Sequence, residues 1–220
     1  MTFSILARDP ETGLMGGGAA TGSLCVGGWV LRGRADAGLS ASQGASPSTL
    51  WGEAAVDALA QGQGAEDVVC RITDADRGRA FRQLAVLGRE GSGAVFSGER
   101  NSPRIADQVF ERGVAAGNLL ASEGVIPALV DGFSGASGTF PEQLLAGLLA
   151  AQDAGSDARG LFSAALLVVG PDRAPLSLRI DHSEDPLGDL SDLLARATSG
   201  EYAFWARQVP TLHDPERILD

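Results

Sequence analysis

The order of predicted elements places this chain in the α+β class, as an αββα sandwich of two mainly antiparallel sheets with helices on both outer faces. Three observations lead there. Strands come in hairpin-like sets, and helices come in pairs between those sets. One uniformly apolar run, Ala164 to Val169, has the pattern of a strand buried on both faces. The 220 residues contain no Pro- or Ser-rich linker and no internal repeat, so residues 1–198 are read as one domain. Residues 199–220 are polar and aromatic without clear period, and are read as an interface arm or a disordered end.

The N-terminus alternates, with Phe3, Ile5 and Ala7 on one side, which predicts a half-buried strand. Asp9-Pro10-Glu11-Thr12-Gly13 has turn chemistry and leads into a second strand from about Leu14 to Thr21, making a hairpin. Gly16-Gly17-Gly18 inside that strand predicts close packing. Short strands are expected at Val26 to Arg32 and Gly38 to Ser42. Helices follow from about Ser48 to Gln61, stopped by Gly62, and from Ala65 to Ala75. Gln83 to Gly88 and Gly93 to Ser97 read as a hairpin, and Val109 to Ala116 as a further strand. The next helix pair is Ser122 to Gly132 and Thr139 to Ala154. Thr139 and Glu142 stand at capping-box spacing, and Leu144, Leu145, Leu148 and Leu149 share a face. The apolar run then pairs with Leu176, Leu178 and Ile180, and Asp185-Pro186 opens a last helix.

Composition narrows function mostly by exclusion. A net charge of −11 makes nucleic acid and acidic membrane surfaces poor partners. Every basic residue is Arg, so a lysine Schiff base or a P-loop is ruled out. Cys25 and Cys70 are read as buried free thiols, and the two histidines, His182 and His213, show no zinc spacing. Gly16 to Thr21 lacks the last glycine of a dinucleotide fingerprint, and no helix pattern follows it. His182 to Asp185 is better explained as a loop into a helix cap than as a metal site. No cofactor is expected. Without a basic n-region or a long apolar run, the chain reads as cytoplasmic.

Thr2 is the most pointed chemical feature. With Met1 removed, it opens a strand as an N-terminal residue, and its own α-amine serves as general base for its hydroxyl. Asp157 and Arg159 lie two apart beside the buried strand. They read either as a structural ion pair or as a carboxylate-binding pair.

The run Thr2-Phe3-Ser4-Ile5-Leu6-Ala7-Arg8-Asp9-Pro10-Glu11-Thr12-Gly13 resembles the opening of a bacterial and archaeal family called domain of unknown function 1028. Echoes follow in order at Arg34 to Gly38, Ala41-Ser42-Gln43, Arg82-Gln83-Leu84, Gly117-Asn118-Leu119-Leu120, Asp157-Ala158-Arg159-Gly160, Ser163 to Val169 and Leu178 to Asp181. The resemblance implies the four-layer αββα fold of N-terminal-nucleophile hydrolases, with amide hydrolysis as a fold-level analogy. It is not complete. Ser46-Pro47-Ser48-Thr49-Leu50 lacks the family's Asn-Pro and Tyr, and Phe162 stands where Gln is common, which implies lost or altered activity.

The candidate catalytic set is therefore Thr2, Asn118, Asp157 and Arg159. Thr2 is the nucleophile and Asn118 an oxyanion donor. Arg159 holds a substrate carboxylate, and Asp157 orients Arg159. The expected partner is a small-molecule substrate or ligand, and Tyr202, Phe204 and Trp205 are expected at a homodimer contact. Two other readings stay open: a non-catalytic binding or regulatory protein on a hydrolase scaffold, and an enzyme using internal side chains such as Ser4, Asp157 or Arg159.

Overall fold

The first two strands, β1 (Thr2–Arg8) and β2 (Met15–Thr21), form the expected hairpin in the computed structural model, which describes residues 2–156 and 160–219. The Asp9 carboxylate closes the turn by accepting from the Glu11 backbone N–H and the Thr12 hydroxyl. Gly13, at φ +72°, supplies the left-handed residue.

Among the described residues, ten strands divide between two antiparallel sheets. The six-stranded sheet has the order β10-β9-β2-β1-β8-β7, and the four-stranded sheet β3-β4-β5-β6. The remaining strands of the larger sheet are β7 (Ile105–Phe110), β8 (Gly113–Asn118), β9 (Ser163–Val169) and β10 (Leu176–Ile180). Those of the smaller are β3 (Leu31–Arg34), β4 (Gly38–Gly44), β5 (Arg82–Gly88) and β6 (Gly93–Ser97).

Three apolar clusters hold these elements together. One lies between the outer face of the six-stranded sheet (Phe3, Ile5, Ala115, Leu166) and helices α4 (Val125–Gly135), α5 (Phe140–Asp153) and α6 (Pro186–Ala197). A second joins the sheets, with Leu6, Met15, Val114 and Ala165 against Leu39, Ala41, Ala85 and Leu87. The third packs α2 (Thr49–Ala60) and α3 (Ala65–Asp74) on Leu84 and Val86. Because β1 meets helices on one face and a sheet on the other, Phe3 through Ala7 are all buried. The alternation assigned its faces correctly, but the strand is buried on both sides instead of one.

Glycine is needed where α5 crosses β2. A Cβ at Gly16 would stand 2.8 Å from Leu144 Cδ1, and one at Gly18 would stand 3.1 Å from Leu148 Cδ1. The leucine face of α5 thus lies directly on glycine backbone. The start of α5 is fixed locally, since Glu142 Oε2 accepts from both the Thr139 backbone N–H (2.7 Å) and its hydroxyl (2.6 Å). Asp185 caps α6 by accepting from Gly188 N at 3.1 Å.

Several local expectations need correction. Val26 to Arg32 is not one strand, since Val26–Trp29 forms the short helix α1 before β3 begins. Gly27 and Gly28 have no side chains to fill a sheet face, and a Cβ at either would run into Arg179. Val109 to Ala116 spans a hairpin: it covers the end of β7, the turn at Glu111 and Arg112, and the start of β8. The exposed Asp107 and Val109 gave β7 no apolar stripe. The buried run β9 is second from the sheet edge, and β2 and β1 take the centre. Within the C-terminal segment, α7 (Gly200–Ala206) follows α6. His213 N then bonds Pro171 O, returning the chain to the β9–β10 turn. Among the described residues no helix is long and apolar enough to cross a membrane.

Candidate functional site at the start of β1

Register places the site. Thr2 pairs with Thr21 of β2 on one side and Asn118 of β8 on the other. Side chains alternate along β1, so Thr2 shares the inter-sheet face with Ser4 and Leu6. It therefore stands where the space between the two sheets opens. The cleft there has a volume of about 510 Å³. Its walls come from Thr2 and Thr21, from residues 23–30 around α1 (Leu24, Val26, Trp29, Val30), and from Gln43 with the Gly44 to Pro47 turn.

Thr2 is held at both polar ends. Its backbone N–H donates to Asn118 Oδ1 at 3.0 Å, and its hydroxyl donates to Thr21 Oγ1 at 3.1 Å. Asn118 is 1% exposed and lies off the cleft wall. Its Nδ2 has no partner among the described residues. Thr2 and Asn118 are thus brought together as expected. Asn118 faces the nitrogen of Thr2 through its carbonyl oxygen, however, which makes it first a group that orients that nitrogen. Asp157 and Arg159, the other two expected site residues, lie outside the described residues.

Two glutamines that sequence reasoning left without a role support Thr2 from beneath. Gln43 and Gln83 are direct cross-strand partners on β4 and β5. Gln43 Nε2 donates to Gln83 Oε1 (2.7 Å), to Ala116 O (3.1 Å) and, more weakly, to the Thr2 carbonyl (3.4 Å). Gln83 Nε2 in turn donates to Ser97 Oγ (2.7 Å), Gly117 O (3.2 Å) and Ala106 O (3.3 Å), and the Ser97 hydroxyl donates to Asp107. This chain ties the smaller sheet to β1, β7 and β8 directly under the site. The echoes at Ala41-Ser42-Gln43 and Arg82-Gln83-Leu84 marked both residues, but nothing local signals a bond across 40 positions.

The backbone is also unusual here. Cys25 (φ 60°), Leu119 (φ 56°) and Ser156 (φ 40°) are the non-glycine residues with positive φ among those described. Leu119 follows Asn118, Cys25 follows Leu24 of the cleft wall, and Ser156 O accepts from Ala121 N. Each such residue costs about 1–3 kcal/mol, and they gather at functional sites. Cys25 is only half-buried and Cys70 is exposed on the outer side of α3, so the expectation of two buried thiols holds in part for Cys25 and fails for Cys70. No group of three or more metal-ligating side chains is assembled among the described residues.

A second cavity, of about 530 Å³, surrounds Asp9, Arg112 and Arg173 near the other end of β1. Size does not separate the two. The Thr2 cleft is distinguished by a hydroxyl and a main-chain nitrogen of one residue, each gripped by a buried side chain.

The architecture is that of a mixed α+β protein with two antiparallel sheets, and comparison with known proteins gives it a family. The model of DUF1028, described as a family of unknown function, matches residues 2–190. A crystal structure of protein SPO2555 from Silicibacter pomeroyi, assigned to the same family, superposes with a TM-score of 0.96 at 53% sequence identity. It covers 100% of this chain and 96% of that one. The chain belongs to the DUF1028 family. No match was found among curated proteins.

Proposed function

We propose that this protein hydrolyses a small amide or related C–N bond, on a four-layer αββα scaffold of the N-terminal-nucleophile type, with Thr2 as nucleophile once Met1 is removed. The observation that carries the reading is the two-sided grip on Thr2, nitrogen to Asn118 and hydroxyl to Thr21, at the mouth of the cleft. The three apolar clusters, one between the sheets and one on each outer face, support the scaffold assignment.

The chemistry follows from the groups present. A free α-amine has an ordinary pKa of about 7.7–8.0, so near neutrality a useful fraction is unprotonated. It takes the hydroxyl proton as Oγ1 bonds to the carbonyl carbon. Asn118 Oδ1 holds that amine in place, and its buried Nδ2, off the cleft wall, carries no step here. Collapse breaks the C–N bond, and the leaving amine carries the proton away. Water then cleaves the acyl ester and restores Thr2. Asp157 and Arg159 carry no step here. The reading includes a cytoplasmic location and a homodimer.

The test is expression from the natural start codon, intact-mass measurement, and a screen of small amides with wild type and Thr2→Ala. The expected result is loss of Met1 and turnover that Thr2→Ala abolishes with little change in Tm. Retention of Met1 without turnover would replace this reading with that of a non-catalytic binding protein, and full activity in Thr2→Ala would replace it with that of an enzyme using internal side chains.

A further inference from the structure

Among the described residues, four buried side-chain atoms lack a hydrogen-bond partner: Ser4 Oγ, Arg8 Nε, Gln43 Oε1 and Asn118 Nδ2. Three of the four sit at or beside Thr2. Native interiors strand few polar atoms, and each one calls for an explanation. Gln43 stands out because it is 1% exposed and yet forms part of the cleft wall.

The orientation of its carboxamide is dictated by its neighbours. Ser97 gives its hydroxyl proton to Asp107, so towards Gln83 it acts as acceptor, and two main-chain carbonyls join it there. Gln83 must therefore turn its NH2 to Ser97 and its oxygen to Gln43. Gln43 then faces three oxygens, which requires its own NH2 on that side. Its two protons are committed to the interior, and Oε1 is the atom left over. Reversing either amide would set oxygen against oxygen.

We propose that Gln43 Oε1 is a specificity element that accepts an N–H from a small carboxamide bound in the cleft, whose apolar substituent lies against Leu24, Val26, Trp29 and Val30. Leu24 (56% exposed) and Trp29 (52%) offer apolar surface at the mouth, and no charged side chain lines the cleft among the described residues. An ester or a tertiary amide of the same shape leaves the buried acceptor unsatisfied, and so binds more weakly. The proposal deepens the functional reading above and shares its cleft, but it does not depend on Thr2 acting as nucleophile.

The experiment titrates 3-phenylpropionamide, its N-methyl and N,N-dimethyl derivatives, and methyl 3-phenylpropionate into the ¹⁵N-labelled full chain. The Trp29 indole and Gln43 side-chain amide signals are followed by NMR, in wild type and in Thr2→Ala. The primary and N-methyl amides are expected to shift both signals and to bind at least about tenfold more tightly than the ester and the dimethyl amide. Trp29→Ala, at a half-exposed site, should weaken all four probes. Gln43→Met should abolish the preference; if that variant does not fold, the probe series on wild type still decides. Equal affinities for amide and ester, or no shift at Trp29 with any probe, overturn the proposal. An N–H preference without hydrolysis of any amide leaves it standing and removes the catalytic reading. Hydrolysis without the preference does the reverse.

Discussion

Replacing Gln43 or Gln83 by Leu tests whether the two buried carboxamides are bonded as a pair. Gln43→Leu removes the donor that satisfies Gln83 Oε1, an atom of a residue with no exposed surface. A buried acceptor left without a partner costs about 1–3 kcal/mol. For a domain of this size each kcal/mol is worth about 2–4 °C in Tm, so a cost of about 2 kcal/mol lowers Tm by about 4–8 °C. Gln83→Leu is the milder change. Gln43 Nε2 keeps Ala116 O and Thr2 O, and Ser97 keeps Asp107. The double variant strands neither carboxamide, because both are gone. It should therefore be no less stable than Gln43→Leu alone, giving a coupling of about 1–2 kcal/mol. Urea unfolding of wild type, both singles and the double measures this directly. Effects that add to within about 0.5 kcal/mol would refute the paired arrangement and, with it, the orientation that leaves Gln43 Oε1 free.

Three further outcomes are expected. Thr139→Ala should cost about 1 kcal/mol through loss of the α5 cap, read as a Tm lowered by about 2–4 °C. Hydrogen bonds from the Thr139 hydroxyl and then its backbone N–H hold Glu142 below the usual glutamate range. This contribution is present above the unfolded-state pKa and is lost as pH falls through the folded one, so Glu142→Gln should be less sensitive than wild type to acid in thermal melts between pH 7 and pH 3. Tyr202, Phe204 and Trp205 are all about half exposed or more. Light scattering at micromolar concentration should give a dimer that truncation after residue 198 weakens; a monomeric full-length chain would rule out the interface.

What the sequence determined by itself was whatever is written in neighbouring residues. The Asp9 to Gly13 turn, the Thr139–Glu142 cap and Asp185-Pro186 each act over three to five positions, where side chain meets nearby backbone, and each stands as read. The α5 leucine face was legible for the same reason, since helix period alone aligns Leu144 with Leu148. Gly16 to Gly18 announced close packing without saying what packs there. The opening run and Gly117-Asn118 were also enough to mark Thr2 and Asn118, although they are 116 positions apart. Tertiary structure decided the rest. It turned Val26–Trp29 into a helix that walls the cleft, because two glycines lie where Arg179 covers them. It buried β1 on both faces by stacking a second sheet on it. It set Gln43 against Gln83, Thr2 and Ala116, contacts that span 40 to 73 residues of chain. A glutamine in a run of Ser, Ala and Gly has no local partner to betray it. Its hydrogen bonds exist only once strand register and sheet packing bring distant carbonyls to it, and that long-range geometry is what distinguishes a site from a polar residue in a strand.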